Sequence, residues 1–390
     1  MKVISSGNIP IRMWLDDIEP VALEQAGNLS NLPFAYKHIA IMPDAHPGFG
    51  MPIGGVLATT GVVIPNAVGV DIGCGICAVR TSEKELPIKN IESILNGVRR
   101  LVPVGFSHHK KEQNEYLMPG RDHFTFRKGL IVNREYKNAL KQLGTLGGGN
   151  HFIEIQKGND GYIWLMVHSG SRNIGYKVAE HYNRVAKKQT GSIRKRVPPE
   201  WDLAYLSPGS DEEKKYLEEM QYCVDFAFAS RKLMMERVKE VFSGNLNREI
   251  SFDNFINIAH NYASSEVHFG SRVFVHRKGA TSAKAGEKGI VPGSQGTSSF
   301  IVEGKGNPDS FMSCSHGAGR KLGRRQAVRD LDLEFERAKL DKLGIIHSLH
   351  SRKDLDEASG AYKDINKVMD NQKDLVDIIT ELKPLGVIKG

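Results

Sequence analysis

The stretch LGTLGGGNHFIEIQKGNDGYIWLMVHSGSR, residues 143–172, decides how the chain is read. It opens on a glycine-rich loop (GTLGGGN, 144–150) and continues as strand-like sequence to about residue 175. Within it, YIWLMV (162–167) is apolar throughout, as a strand buried on both faces is. His151 stands in GGGNHFIE, and His168 ends the apolar run and begins HSGSR. An imidazole at the end of a buried strand is held by a rigid element while its ring faces a loop-lined cavity, which is where sites are assembled.

Working outward, residues 1–80 alternate glycine turns with short apolar runs, and 54–60 and 61–65 are predicted strands. Residues 82–133 are more polar, with a helix predicted over 88–101 and a basic stretch at 108–111. Beyond the central stretch, Pro208-Gly209 precede a long helix. Ser210 and Glu213 form its S-x-x-E capping box, and Gly244 stands past its far end. Mixed short elements fill 257–303, among them 290–291 and 300–302. Helical patterns follow over 320–343 and 364–382, the second stopped by Pro384. Strand and helix clusters do not alternate regularly, which disfavours a Rossmann or barrel fold and predicts the α+β class. With no repeat and no long linker, residues 1–390 read as a single domain.

Composition narrows the function. Of 390 residues, 40% are hydrophobic and 25% charged, as in a globular protein. No stretch approaches ~18 uninterrupted apolar residues, so a membrane span is not expected. The start, MKVISSGNIPIRMW, lacks the apolar core of a secretory signal. Four cysteines cannot staple a chain of this length and point to a reducing compartment, hence a cytoplasmic protein. Net charge is +8, a modest bias toward polyanionic partners. Glycine, at 40 residues, exceeds the usual ~7%, as in chains with many tight turns and close backbone approaches to a ligand.

Ligand-type residues gather beside the glycines. Asp71-Ile72-Gly73-Cys74 follows an apolar, strand-like run, His260-Asn261 follow 256–259, and His316 opens His316-Gly317-Ala318-Gly319-Arg320. One carboxylate, one thiolate and several imidazoles suffice for two divalent ions with the thiolate bridging. Two metals ~3.5–4 Å apart suit phosphoryl chemistry. Cys74 and Cys77 form a C-x-x-C pair without a second pair, so neither a zinc ribbon nor a redox motif is expected. Cys223 falls mid-helix and reads as core, and Cys314 stands alone beside His316. The glycine loops 144–150, 292–299 and 317–319 match neither a Walker pattern nor a dinucleotide fingerprint. Basic residues cluster at Lys187-Lys188, at Arg194-Lys195-Arg196, and at Arg320-Lys321 with Arg324-Arg325.

Ten blocks taken in order resemble the RtcB family of RNA ligases. They are MPDAHPGFGMPIGG (42–55), VGVDIGCG (68–75), LGTLGGGNHFIEI (143–155), VHSGSR (167–172), HNY (260–262), RKGAT (277–281), PGSQGTSSF (292–300), SCSHGAGR (313–320), AYKDI (361–365) and the terminal VIKG. The resemblance implies mixed β-sheets around a central metal site with flanking helices. It implies a GTP- and Mn²⁺-dependent ligase that joins a 2′,3′-cyclic phosphate or 3′-phosphate RNA end to a 5′-hydroxyl end, in tRNA splicing or RNA repair. His316 would attack GTP and carry GMP. Asp71, Cys74 and His151 would hold one manganese, and Cys74, His168 and His260 the other. Guanylate contacts would come from Asn150, His151, Phe152, Ile153, Glu154, His260, Asn261, Pro292, Gly293, Ser294, Gln295, Ser299, Gly317, Ala318, Gly319 and Lys389.

Arg172, Arg320 and Arg324 are the candidates for RNA or triphosphate contact, and an archease-type activating protein is a further expected partner. Gln295 departs from the frequent PGSM of the family, and Ser359-Gly360 from its proline before AYKD. Two rivals need the same residues differently. A two-metal phosphatase or nuclease would use the ligands without a nucleotide adduct, and a non-enzymatic RNA-binding module would need neither Asp71 nor Cys74.

Overall fold

The computed structural model describes residues 1–120, 129–191 and 197–390. The predicted basic cluster Arg194-Lys195-Arg196 lies outside the described residues. Helices are interspersed among strands, and the described strand pairs are antiparallel except Ile11–Met13 with Ala35–His46, an α+β arrangement as predicted. A six-stranded sheet runs in the spatial order Lys2–Ile4, Ile11–Met13, Ala35–His46, Ile53–Thr59, Ser271–Lys278, Asn261–His268. A seven-stranded sheet runs Lys288–Val291, Ser299–Gly304, Val376–Lys389, Phe152–Gly158, Ile163–Ser169, Gly75–Thr81, Phe252–Ala259. Ala280–Ser282 pairs with Ser313–Ser315 in a small ribbon.

Register places the chemistry. Gly75 lies opposite both Ser169 and Ala259, and His168 lies opposite both Ile76 and Phe152. Cys74, His151, His168 and His260 therefore meet at one end of four neighbouring strands. His260 also marks the corner where the chain leaves the seven-stranded sheet for the Asn261–His268 strand of the other. Its carbonyl accepts from Ala280 N at 3.2 Å, and Ala280 pairs with Ser315, so His316 arrives beside it.

The helix Ile88–Leu101 matches its predicted bounds. The long helix spans Asp211–Leu246. The Ser210 hydroxyl accepts from Glu213 N at 3.1 Å, and the Glu213 carboxylate accepts from Gly209 N at 2.6 Å. Gly244 lies inside its last turn; the stop is Asn247, at φ 51°. Three further expectations fail for local reasons. Residues 61–64 form no strand, because Pro65 opens the short helix Pro65–Val68, where its missing N–H costs nothing. Residues 320–343 split into Arg324–Asp330 and Leu333–Lys342, the second capped by Asp332. Residues 364–382 are helical only over Ile365–Asp370; Val376–Lys389 is a strand. Val376, Ile378, Ile379, Thr380, Val387 and Ile388 are β-branched and favour it. Pro384 is tolerated beside a register shift between Pro384 and Gly386.

Candidate metal and nucleotide site

Two overlapping ligand groups form where the strands end. Cys74, His168 and His260 bring one donor atom each within 4.8 Å of one another, and so do Asp71, Cys74 and His151. Cys74 Sγ lies 3.5 Å from His151 Nε2 and 3.3 Å from His168 Nε2. Asp71 Oδ2 lies 3.1 Å from His151 Nε2. Backbone carbonyls orient the rings: Leu146 O is 2.9 Å from His151 Nδ1, and Asn150 O is 3.2 Å from His168 Nδ1. With Nδ1 donating, His168 Nε2 keeps its lone pair for a cation; His151 would offer its own on giving up the proton that Asp71 Oδ2 accepts. His260 Nδ1 is buried without a partner, an atom a ligand would satisfy.

Asp71 does not follow a strand, as the sequence suggested. It follows the Pro65–Val68 helix and precedes the Gly75–Thr81 strand, which leaves its loop free to turn inward.

Burial dominates the electrostatics. It drives the pKa values of His168 and His260 well down, so both rings are neutral. Burial, with the Asp71 carboxylate adding, pushes the Cys74 thiol well up. A cation held there would reverse that preference and favour the thiolate. For Asp71 burial acts upward, but the His151 hydrogen bond and the His151 and Arg172 charges outweigh it and hold the carboxylate down.

His316 stands at the edge of this cluster, its ring centroid 4.9 Å from that of His260. The partner that sequence reasoning missed is Asp44, fully buried in the Ala35–His46 strand. Asp44 Oδ2 accepts from His316 Nδ1 at 2.6 Å, from His316 N at 3.0 Å and from Gly317 N at 3.2 Å. The imidazole is thereby fixed with Nε2 unencumbered.

A cavity extends from His316, lined by Asn150, Phe152, Glu154, the loops 292–295 and 317–320, and Lys389. One side is organised by Glu357, another residue not anticipated. Its carboxylate receives Arg324 at 2.6 Å, Arg320 at 3.1 Å, Lys389 at 3.1 Å and the Tyr362 hydroxyl. Burial opposes ionisation, yet Lys389, Arg324, Tyr362 and Arg320 together pull its pKa to about 2. The terminal strand holds Lys389 in place, with Nζ 5.5 Å from the Phe152 ring centroid.

Other sequence candidates sit differently. The Ile153 side chain belongs to the core. The Ser299 hydroxyl lies behind the cavity, accepting from Gly293 N and Gln156 Nε2, both at 3.1 Å. Asn261 and His260 line a second, adjoining cavity with Asp71, Cys74, Lys278 and Phe49, which meets the first at Asn150 and His316. Asn261 braces the metal loop by donating to Asp71 O at 3.1 Å. Gln295 lines the cavity beside His316, while its amide donates to Glu357 O at 3.1 Å. Arg320 turns inward to Glu357, Asp356 O and Leu322 O. Arg172 lies over Gly147, 3.5 Å from His151 Nδ1. Cys77 faces the core and Cys223 packs in the long helix. From that helix the fully buried Arg231, unsuspected among CVDFAFASRKLMM, donates to Gly73 O at 2.9 Å and Ser169 O at 2.8 Å. It thus clamps the backbone beside Cys74 and His168.

An α+β scaffold that surrounds a buried thiol, carboxylate and imidazole cluster, with a further histidine aimed over a nucleotide-sized cavity, has the form of a metal-dependent phosphoryl-transfer enzyme. A sequence model of the family described as tRNA-splicing ligase RtcB matches residues 25–390. The chain is 37% identical over 416 residues to the RNA-splicing ligase RtcB of Escherichia coli K12, covering 100% of this chain and 99% of that protein. It is 30% identical over 459 residues to the tRNA-splicing ligase RtcB of Thermococcus kodakarensis, covering 98% and 95%. Against the RNA-splicing ligase RtcB of Mycobacterium tuberculosis it is 31% identical over 435 residues, covering 94% and 100%. The chain belongs to the RtcB family of RNA-splicing and RNA-repair ligases, and it is an enzyme of the ligase class.

Proposed function

We propose that the protein is a GTP- and Mn²⁺-dependent RNA ligase that joins a 2′,3′-cyclic phosphate or 3′-phosphate end to a 5′-hydroxyl end through a GMP adduct on His316. The observation that carries this reading is the 2.6 Å contact between His316 Nδ1 and the buried Asp44 carboxylate at the mouth of the cavity. With Nδ1–H donated to Asp44, Nε2 offers its lone pair to the α-phosphorus of GTP. The N–P bond forms as the bond to pyrophosphate breaks, and Asp44 stabilises the cationic ring. A 2′,3′-cyclic end is first opened by water, which breaks the P–O2′ bond; an oxygen of the RNA 3′-phosphate then takes the GMP and releases the imidazole. The 5′-hydroxyl displaces GMP in the last step.

Lys389, Arg324 and Arg320 are cations lining the nucleotide cavity, and Glu154 is the acceptor for the base. Asp71, Cys74, His151, His168 and His260 would hold two divalent ions, which when bound neutralise phosphate oxygens. The orphaned His260 Nδ1 and the neutral imidazoles fit a cation. By intrinsic affinity a thiolate with imidazoles ranks zinc and copper above manganese, so manganese is proposed on the family's account.

We take residues 1–390 as one ligase domain of the RtcB fold, its two main sheets framing the cluster. Among the described residues no helix is long and apolar enough to cross a membrane, and all four cysteines are unpaired. The cysteines fit the reducing cytoplasm. An archease-type protein is the proposed activating partner, to be judged by whether adding one raises turnover.

The decisive experiment incubates the protein with Mn²⁺ and α-labelled GTP. Acid-labile, alkali-stable label is expected on the wild type, none on His316→Ala, and strongly reduced label on Cys74→Ala and His151→Ala. No label on wild type, with phosphate released from RNA ends, would mark a phosphatase instead.

A further inference from the structure

We propose that the wide cavity opening on Asp71 and His151 seats the phosphate-bearing RNA strand, and that Phe106 is the aromatic platform on which one of its bases stacks. The inference rests on the ligase reading and names where that substrate lies. The cavity encloses about 1180 Å³, beyond the ~300–1,000 Å³ of a small-molecule pocket. It shares Asp71 and His151 with the metal cluster, and Asn150 and Arg324 with the nucleotide cavity. A strand lying in it therefore ends where His316 and the metal ligands meet.

Phe106 is 99% exposed and contributes nothing to the core. Its loop is nevertheless pinned. Gly105 N donates to Gly147 O at 2.9 Å, His109 N to Lys141 O at 3.0 Å, and Gln113 N to Leu140 O at 3.1 Å. Arg237 ties His109 and Gln113 from beneath. Tyr176, 46% exposed, stands on another wall.

Charge selects the ligand class. Lys141, Arg172 and Arg324 line the cavity, and Lys110 and Lys111 are exposed on the same loop. Of the two carboxylates, Asp356 is tied to Arg324 at 2.8 Å and Asp71 belongs to the metal cluster. Cations for phosphates combined with rings for bases are the means by which single-stranded nucleic acid is held. The strand assigned here is the one bearing the 3′-phosphate, since Arg172 and Arg324 flank the inner end. Phe106 lies in the segment between the blocks ending at Gly75 and beginning at Leu143.

Binding of a labelled, 3′-phosphate-ended RNA decamer is measured by fluorescence anisotropy with Mn²⁺ and no GTP. Phe106→Ala should raise Kd ~5- to 150-fold, the loss of one stacked base. Phe106→Trp should bind like wild type, and Phe106→Leu should lose most of the affinity. Abasic substitutions near the 3′ end should reveal one position that weakens wild type by the same factor and leaves Phe106→Ala indifferent. Wild-type Kd for Phe106→Ala, no such position, or an effect confined to 5′-hydroxyl strands would overturn the assignment. Guanylylation of His316, which needs no RNA, is read in parallel. Its failure in wild type would sink the ligase reading, while the anisotropy series would still judge the cavity.

Discussion

Replacing Glu154 by glutamine should make the protein more stable and less selective at once. Glu154 lies in the Phe152–Gly158 strand, buried, with Oε2 receiving Gln156 Nε2 at 2.6 Å. Burial raises its pKa from 4.5 to about 8, against the pull of Lys389 and the Gln156 hydrogen bond. The folded state then holds a proton that the unfolded chain releases above pH ~4.5. Stability must therefore fall as pH rises from ~4.5 to ~8, at up to ~1.4 kcal/mol per unit, or ~5 kcal/mol in the limit. Glutamine removes that slope, so denaturant midpoints of the two proteins should coincide near pH 4.5 and diverge toward pH 8.

The same carboxylate, once ionised, can accept two N–H groups from guanine, whereas adenine offers no matching pair of donors. Wild-type affinity for GTP should accordingly rise toward tenfold per pH unit between pH 7 and 8, and level off above. In Glu154→Gln the slope should vanish and GTP should lose its advantage over ATP. Parallel stability curves, or a flat GTP affinity in the wild type, would refute the assignment of both pKa and role.

Two further substitutions test the geometry around the reacting histidine. Asp44→Asn keeps an acceptor for His316 but removes the charge that supports a cationic ring, and it aims an amide donor at the buried, unpartnered Oδ1 position. The rate of His316 guanylylation, measured by rapid quench, should fall ~10²–10⁴-fold, and an unchanged rate would exclude Asp44 from the step. Gly147 has φ 91°, and a Cβ there would stand 2.0 Å from Arg172 Nη1. Gly147→Ala should expel the guanidinium from beside His151 and cost ~1–2 kcal/mol or more for the left-handed backbone alone. Sealing of RNA should drop further than guanylylation, and equal losses in both assays would count against a role for Arg172 toward RNA.

The sequence displayed the candidate site groups better than the groups that hold them. Cys74, His151, His168, His260 and His316 each stand beside glycines or at the end of an apolar run, a signal local enough to read by eye. Asp44 sits in an apolar strand, 272 residues from the ring it orients. Arg231 hides on a long helix, 158 residues from Gly73. Neither has a local signature, because the partner is supplied by tertiary structure alone. The missed terminal strand has the same origin. Residues 364–382 contain enough helix formers to suggest a helix, and only pairing with Phe152–Gly158 and Ser299–Gly304 shows why Val376–Lys389 extends instead.

These unseen groups are all buried charges, which are costly unless paired. Asp44 gathers three donors on one oxygen, and Glu357 receives three cations and a phenol. Arg231 donates Nε to Asn257 and Nη1 to Gly73 O and Ser169 O, and lies over the Phe228 ring, while its buried Nη2 has no partner. Each pairing joins the site to a different element: Asp44 to the six-stranded sheet, Arg231 to the long helix, Glu357 to the terminal strand. Removing any one leaves its partners buried and unpaired, so the loss falls on ligand position before it falls on chemistry. A site assembled from four strand ends therefore depends on residues that touch no substrate, and their substitutions should mimic those of the ligands they hold.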